Sequence, residues 1–166
     1  MRKLLYTAIV FSTLLGCKEK QDMASNDSSG ETIFNYQKMP ERVAINPEAS
    51  AIVEGWEEFK KFNESVDVLY RATNNEDLIL AVDDLIEKEK LLAKGTYPEL
   101  FDTFQVKSRQ RVLKTYLYKV KSHILEKQDT TQPTIEMLEA YNAMRKQLNV
   151  IVNSQLDKKL ILDEKE

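Results

Sequence analysis

The sequence has a single cysteine, a single histidine, four glycines and four prolines among 166 residues. One cysteine excludes an intramolecular disulfide, so the stability of the fold has to come from packing. The scarcity of glycine and proline argues against a turn-rich β-sandwich. A lone histidine leaves no second imidazole for the common zinc sites.

Catalytic and cofactor-binding motifs are missing as well. The sequence has no Gly-x-Ser-x-Gly turn for a serine nucleophile and no glycine-rich phosphate loop. It has no Asp-x-Asp-x-Asp-Gly calcium loop and no Cys-x-x-Cys-His haem run. Adjacent acids such as Asp83 and Asp84 point about 100° apart on a helix and do not form a catalytic pair. We therefore predict that the protein is not an enzyme and binds no metal or other cofactor.

The charge balance is mildly acidic. The chain has 24 Lys and Arg residues against 27 Asp and Glu residues, which gives a formal net charge of −3. Nucleic-acid phosphates are bound by basic surfaces, so a chain of this composition is a poor candidate for general nucleic-acid binding. We expect no nucleic-acid partner.

The most distinctive feature that the sequence does have is its N-terminus. Arg2 and Lys3 precede an apolar run over residues 4–15, which is the arrangement of a secretory signal peptide. The run is shorter than the roughly 20 apolar residues that span a membrane, and charged residues 18–20 follow it. Its end resembles the lipobox of bacterial lipoproteins, and the residues that carry the resemblance are Leu14, Leu15, Gly16 and Cys17.

This resemblance implies a processing pathway and a location. In bacterial lipoproteins the peptide before the cysteine is removed, and the cysteine is acylated on its sulfur and on its new amino group. Residues 1–16 are then a cleaved signal peptide, and a palmitate-type lipid at Cys17 holds the protein at a membrane, since stable anchoring takes more than one acyl chain. Lys18 rather than aspartate follows the cysteine. In Gram-negative envelopes this favours the outer membrane, on its periplasmic face or at the cell surface.

Residues 17–45 are predicted to form a flexible, disordered tether that starts at the acylated cysteine. Over residues 23–32 only Met23 is a large apolar residue, so this stretch buries too little surface to offset the entropy cost of ordering. Ile33, Phe34 and Tyr36 interrupt the polar composition. They either dock on the folded domain as a short segment or stay loose, and we favour docking.

Residues 46–166 are predicted to form the folded domain, which is all-α. Asn46 is a good N-cap and Pro47 a good first helical residue, and the apolar spacing carries this first helix to about Ala72. Asn74 caps a second helix, whose acidic first turn complements the helix dipole. A lysine and Gly95 then form its C-terminal stop.

Two further helices follow. Residues 96–99 have the form of a capping box and open a third helix that reaches about Lys127. A break at residues 129–133 precedes a fourth helix, which extends to about Leu162. The predicted core face of the third helix consists of Val112, Leu113, Tyr116, Leu117, Val120 and Ile124, while Phe101 and Phe104 cover its first turns.

Four amphipathic segments joined by short breaks predict an antiparallel four-helix bundle. The alternative is a long three-helix bundle in which the first two segments form one kinked helix. Either architecture belongs to the all-α class and stands on the predicted tether.

The third predicted helix is strongly basic, because residues 103–125 contain no acid. At about 100° per residue, one stripe lies away from the core face. Such a stripe is suited to an envelope protein or to an anionic glycan or lipid. The alternative, which the acidic first and second helices favour, is charge pairing inside the domain. The members of this predicted stripe are Lys107, Arg111, Lys114, Tyr118 and Lys121.

Arg109 and His123 are the remaining candidates for chemistry. Arg109 is expected near the core face, where it pairs with a carboxylate or extends its head group to solvent. Together with Tyr116 and His123 it would line a small-ligand or metal-binding cavity, which is the alternative function. Residues 129–131 resemble a short O-glycosylation signal of some Gram-negative envelope proteins, although helix capping explains Thr131 better.

The sequence therefore predicts an envelope lipoprotein that is anchored to a membrane through Cys17. Its helical domain is predicted to be a non-enzymatic binding or adaptor module.

Overall fold

All regular structure in the described part of the chain is helical. The computed structural model describes residues 39–163, with side chains as far as residue 155. The prediction of an all-α fold is confirmed, and no helix within residues 39–163 has both the length and the apolar character needed to cross a membrane. The helices are α1 (Pro47–Val53), α2 (Glu57–Leu69), α3 (Asn75–Lys94), α4 (Phe104–Leu125) and α5 (Thr131–Asp163), with a 3₁₀ turn at Glu99–Phe101.

Local capping sets two helix starts as predicted. The Asn46 side chain accepts a hydrogen bond from the Ala49 N–H at 2.9 Å, and Pro47 is the first residue of α1. The Asn74 side chain accepts a hydrogen bond from the Asp77 N–H at 2.8 Å. Each cap satisfies a backbone donor that has no partner within its own helix.

The first predicted helix is wrong as a single element, because α1 and α2 are separated at residues 54–56. Trp56 has non-helical backbone angles (φ −100°, ψ 83°), and its side chain is 1% exposed. Its ring lies 4.9 Å from the centroids of both Phe59 and Tyr97. Burying a ring of about 150–250 Å² favours the break over a continuous helix. Gly55 is not required by close packing, since an added Cβ would meet only a backbone oxygen at 3.6 Å.

The predicted start of the third helix is also wrong. Residues 96–99 do not open a helix, and α4 begins at Phe104 with Thr103 as its cap, whose side chain accepts from the Val106 N–H at 3.3 Å. The 3₁₀ turn before it places Phe101 in the core, 6.2 Å from Trp56. Phe104, which we expected to cover the first turns of the helix, is 75% exposed.

The buried face of α4 is rotated relative to the prediction. Val112 is 41% exposed, whereas the polar Gln110 is buried. A glutamine at a core position hides the true 3-4 spacing from a hydrophobic pattern. The buried residues of α4 are Val106, Gln110, Leu113, Leu117 and Val120.

The longer helices pack in chain order, with α2 on α3, α3 on α4 and α4 on α5. Contacts between α3 and α4 join Asp83 to Lys121 and Glu89 to Gln110, so these two helices are antiparallel. Because α2 folds back on α3, the alternative of one kinked helix is wrong. The short α1 packs on α5 and α2.

Residues 39–46, which we call the strap, run beside α5. The Val43 N–H donates to Asn142 Oδ1, and the Asn46 N–H donates to Asn149 Oδ1, both at 2.9 Å. Met39 and Ile45 pack against the core. The strap is thus attached to the domain, although residues 39–45 belong to the predicted tether and precede the domain start predicted at residue 46. The remainder of the predicted tether, including Ile33, Phe34 and Tyr36, lies outside the described residues, as does Cys17.

Candidate functional site

Three cations of the predicted stripe are engaged within the domain. Lys107 forms an ion pair with Asp102, in the loop just before α4. Lys121 pairs with Asp83 of α3, with 2.6 Å between Nζ and Oδ1. The third, Lys114, lies beside a buried carboxylate of α3. Pairing inside the domain, the alternative that the acidic helices favoured, therefore accounts for these three lysines.

The outward side of α4 carries exposed apolar side chains at heptad spacing. Phe104 is 75%, Tyr118 43% and Leu125 71% exposed. Residues seven apart lie on one side of a helix, with a drift of only about 20° per heptad. Arg111 completes the series, and its guanidinium carbon is 5.6 Å from the centroid of the Phe104 ring. We call these four residues the α4 ridge.

Exposed large hydrophobic side chains are concentrated on α4, the helix that carries the ridge. Eight large hydrophobic side chains are exposed among the described residues, and four of them belong to α4. The opposite face of this helix already packs against α3 and α5. Exposed apolar residues that share one face mark a surface for a partner more often than isolated ones do. Because residues 103–125 contain no acid, the surroundings of the ridge on α4 are basic.

Sequence reasoning found half of the ridge. Arg111 and Tyr118 belong to the predicted stripe, whereas Phe104 was expected to cover the first turns of the helix and Leu125 was not singled out. The signal that identifies both is the heptad spacing measured from Tyr118 in each direction. That signal becomes visible only when the helix start is moved to Phe104 and its buried face is known.

The predicted cavity of Arg109, Tyr116 and His123 is not formed by the described residues. Arg109 is exposed and forms no ion pair with a carboxylate of residues 39–155, which agrees with the predicted extension of its head group to solvent and not with the predicted ion pair. It is separated from His123 by 14 residues, about 21 Å of helix. His123 Nδ1 instead lies 2.9 Å from the backbone oxygen of Asp129. No group of three or more His, Cys, Asp or Glu residues in the described part of the chain is placed to hold a metal.

The possible glycosylation signal is buried. Thr130 is 6% and Thr131 9% exposed, so neither hydroxyl is open to a bulky sugar in the folded domain. Thr131 is the first residue of α5, and its N–H donates to Asp129 Oδ1 at 3.2 Å. Asp129 therefore contributes a side-chain hydrogen bond at the start of α5.

A buried polar cluster joins α3 to α4. Glu89 is 1% exposed, and its Oε1 accepts a hydrogen bond from Gln110 Nε2 at 3.2 Å. Gln110 Oε1 accepts from the hydroxyl of Tyr97. Lys114 Nζ lies 3.9 Å from Glu89 Oε2. Burial raises the pKa of Glu89, although the charge of Lys114 and the bond from Gln110 oppose the shift. Burial also raises the pKa of Tyr97 to about 12.

Glu89→Gln should raise the free energy of unfolding at pH 7. A raised pKa means that the folded state disfavours the ionised carboxyl. The stabilisation that the carboxyl contributes is therefore complete below 4.5, its unfolded pKa, and is lost as the pH rises through the folded value. Urea unfolding from pH 4.5 to pH 7 should show a stability gap that favours the variant and widens with pH.

Glu87→Gln is the matched control, because Glu87 is an exposed residue of the same helix. It should leave the pH dependence of unfolding unchanged. A gap between parent and Glu89→Gln that stays constant with pH would contradict a raised pKa at Glu89.

A cleft between α2 and α3 lacks the features of a ligand-binding site. Lys88, which lines it, pairs with Asp84 at 3.2 Å, and the acidic side chain of Glu58 also lines it. An added Cβ at Gly95 would come within 2.7 Å of that glutamate side chain, which would have to shift to make room for it. The cleft thus combines charges of both signs without a buried polar group directed into it.

Comparisons with known proteins identify no relationship. No family model matches the chain, and neither a curated protein nor a solved structure is similar to it. Any inference of function therefore depends on the residues and their geometry.

Proposed function

We propose that this protein is a lipid-anchored, non-enzymatic adaptor of the bacterial envelope whose α4 ridge binds a helix of an envelope partner. The observation that carries the proposal is the heptad series of exposed Phe104, Tyr118 and Leu125 on a helix without acids. The lipobox-like residues at positions 14–17 support the anchor.

The scaffold for this surface is an antiparallel four-helix bundle of α2 to α5. Contacts across α2 and α5 support closure of the bundle, since the rings of Phe62 and Tyr141 have centroids 5.9 Å apart. The Tyr141 hydroxyl also donates to Asn63 Oδ1 at 2.5 Å. A bundle closed in this way holds α4 rigid and presents the ridge as a preorganised surface.

The partner is an amphipathic helix with apolar residues at heptad positions and carboxylates beside them. Residues repeating every seven positions form the kind of seam that packs against another helix. Arg109 and Arg111 are exposed and pair with no described carboxylate, so they are available to acids on the partner. An anionic membrane fits less well, because the adjacent α3 presents the exposed acid Glu87, and Asp83 of that helix already neutralises Lys121 of α4.

The proposed anchor limits the distance between the membrane and the folded domain. The 22 residues from Cys17 to the strap at residue 39 can span at most about 80 Å in any conformation. The domain would therefore work close to the membrane, on the periplasmic face or the surface of the outer membrane. Confinement to a membrane raises the effective concentration of a partner in the same membrane.

Replacing both ends of the ridge, as Phe104→Ser with Leu125→Ser, should reduce crosslinking to the partner by about tenfold or more. Both side chains are more than 70% exposed, so folding stability should change by less than about 1 kcal/mol. The measurement uses a photo-crosslinking amino acid at Thr115, an exposed α4 position, in intact cells, followed by mass-spectrometric mapping of the crosslinked peptide.

Leu80→Ser is the matched control, because Leu80 is likewise 70% exposed but belongs to α3 and not to the ridge. Arg111→Glu should also weaken the crosslink, and Lys114 is left intact because of its contact with Glu89. Crosslinks to lipid or glycan instead of a helix, or a yield that the double variant leaves unchanged, would refute the proposal.

A further inference from the structure

The strap is held mainly through its backbone. Asn142 and Asn149 each use both ends of the side-chain amide, with the oxygen accepting from a strap N–H and the nitrogen donating to a strap carbonyl. This is how one β-strand pairs with the next, although here a helix supplies the groups. The four bonds, at 2.8 to 2.9 Å, join Asn142 to Glu41 and Val43, and Asn149 to Ala44 and Asn46.

Arg145 lies between the two asparagines and adds a third contact. It is 8% exposed, its Nε donates to the Val43 carbonyl at 2.5 Å, and its Nη1 donates to the Tyr141 hydroxyl at 2.9 Å. Tyr141 thereby fixes the guanidinium on the side of α5 that faces the strap. We call Asn142, Arg145 and Asn149 the α5 ladder.

The spacing of the ladder matches an extended chain. Seven residues of α-helix separate Asn142 from Asn149, a rise of about 10.5 Å. Three residues separate the strap positions that they bind, and three extended residues span about 10 Å. The distance between the two asparagines and the distance between the strap positions are therefore nearly equal. The strap has to be nearly extended to make both contacts.

Contacts from α2 make the site suited to this particular segment. Arg42 forms an ion pair with Asp67, and its guanidinium carbon is 5.2 Å from the centroid of the Tyr70 ring. The Tyr70 hydroxyl donates to the Pro40 carbonyl at 2.8 Å. The ladder thus recognises an extended backbone, while α2 recognises the side chain of Arg42.

We infer that the α5 ladder is a binding site for an extended polypeptide, filled within one molecule by its own strap and able to take the strap of a second copy. The segment that fits both the ladder and α2 is this chain's own, so a second copy carries the matching ligand. Exchange needs rotation at the junction of Asn46 and Pro47, where Asn46 is extended (φ −68°, ψ 160°) as a residue before proline prefers to be. Exchange of identical segments is a low-cost route to a dimer.

The inference rests on the proposed anchor in one respect only. Copies held in the same membrane meet at a high effective concentration, which allows a second strap to compete with the first. The α4 ridge takes no part, so a failed exchange would leave crosslinking at the ridge unaffected.

A complementation experiment tests the exchange on residues 17–166 carrying Cys17→Ser, which avoids acylation. Val43→Pro removes the backbone N–H that donates a hydrogen bond to Asn142 Oδ1, and it leaves the side chains of the ladder intact. Asn142→Leu combined with Asn149→Leu removes the four asparagine bonds to the strap, keeps the bond from Arg145 to the Val43 carbonyl, and leaves the strap itself intact. In both variants, hydrogen exchange at the Asn46 amide should be about tenfold faster or more.

Each variant alone should be monomeric in analytical ultracentrifugation, and an equimolar mixture should form a heterodimer from one intact ladder and one free strap. Ala44→Pro is the control for the strap, because the Ala44 amide has no hydrogen bond recorded within the described residues. Asn153→Leu is the control for the helix, because Asn153 Oδ1 accepts a hydrogen bond from the side chain of Asn46 at 2.9 Å and not from the strap backbone. A mixture of the two controls should remain monomeric.

Two outcomes would overturn the inference. One is a monomeric mixture in which hydrogen exchange shows that both straps are released. The other is binding of a synthetic peptide of residues 39–46 to Val43→Pro without a heterodimer, because the occupant would then not be a second copy. If the double variant loses helicity in circular dichroism, Asn149→Leu alone replaces it.

Discussion

Trp56→Ala should lower the free energy of unfolding by about 3–5 kcal/mol, a large part of the total for a domain of this size. The indole is 1% exposed and lies 4.9 Å from the ring of Phe59 and 6.2 Å from that of Phe101. An alanine would leave a cavity where the start of α2 meets the loop before α4. Urea unfolding followed by circular dichroism measures the change.

Two further variants show whether the loss comes from the cavity. The indole N–H of Trp56 has no hydrogen-bond partner within the described residues, so Trp56→Phe removes volume without breaking a hydrogen bond. It should cost clearly less than alanine, because a smaller cavity is left. Leu80→Ala, at an exposed site on α3, should change stability by less than about 0.5 kcal/mol. If Trp56→Ala lowers the free energy of unfolding no more than Leu80→Ala does, the indole ring does not stabilise the core.

Cys17→Ser should abolish incorporation of labelled palmitate and leave the signal peptide uncleaved. The reason is chemical, since the lipobox-like sequence places a thiol where lipoproteins form the thioether that carries their lipid, and serine has no sulfur. Metabolic labelling of cells producing the parent or the variant, together with the intact mass of each protein, measures both effects.

Ser29→Ala is a matched control within the predicted tether, because it removes a hydroxyl but leaves residues 14–17 unchanged. It should be labelled and cleaved like the parent. If the parent takes up no label, and parent and Cys17→Ser are processed identically, the proposed lipid anchor is wrong.

Helix starts with a side-chain cap were predictable from the sequence because their cause is local. Asn46 and Asn74 each bond to a backbone N–H three residues ahead, and that signal is visible in a few letters. The break at Trp56 was not predictable in this way. Its cause is burial of the ring against Tyr97, a residue 41 positions away in the chain.

The polar interior is what sequence patterning missed. Glu89 and Gln110 occupy core positions because they satisfy one another across α3 and α4, yet each alone suggests a surface residue. Their presence also shifts the apparent core face of α4 and hides the exposure of Phe104. Half of the candidate surface therefore remained outside the predicted stripe.

The α5 ladder could not be found from sequence for a related reason. Asn142 and Asn149 lie on the same helix as the buried Tyr141, Met144 and Leu148, so the helix itself was predicted from these apolar residues. The binding partners of the two asparagines are about a hundred positions earlier in the chain. Backbone recognition also leaves little trace in the sequence of the recognised segment, because it depends on N–H and C=O groups that nearly every residue has.

The strap also determines which helix would bear a force applied on the N-terminal side of the domain. A pull on the N-terminal side of residue 39 reaches the ladder near Asn142, about one third of the way along a 33-residue helix, before it reaches α1. A pulling force of this kind would therefore act first on the longest helix, α5, rather than on the shortest one, α1. Because the contacts at Asn142 and Asn149 lie one after another along the pull, tension would release them in sequence and lengthen the tether by several residues at a time. Release of the strap would leave the α4 ridge exposed as before, because the strap is bonded to residues of α5, to Asp67 of α2 and to Tyr70 at its end.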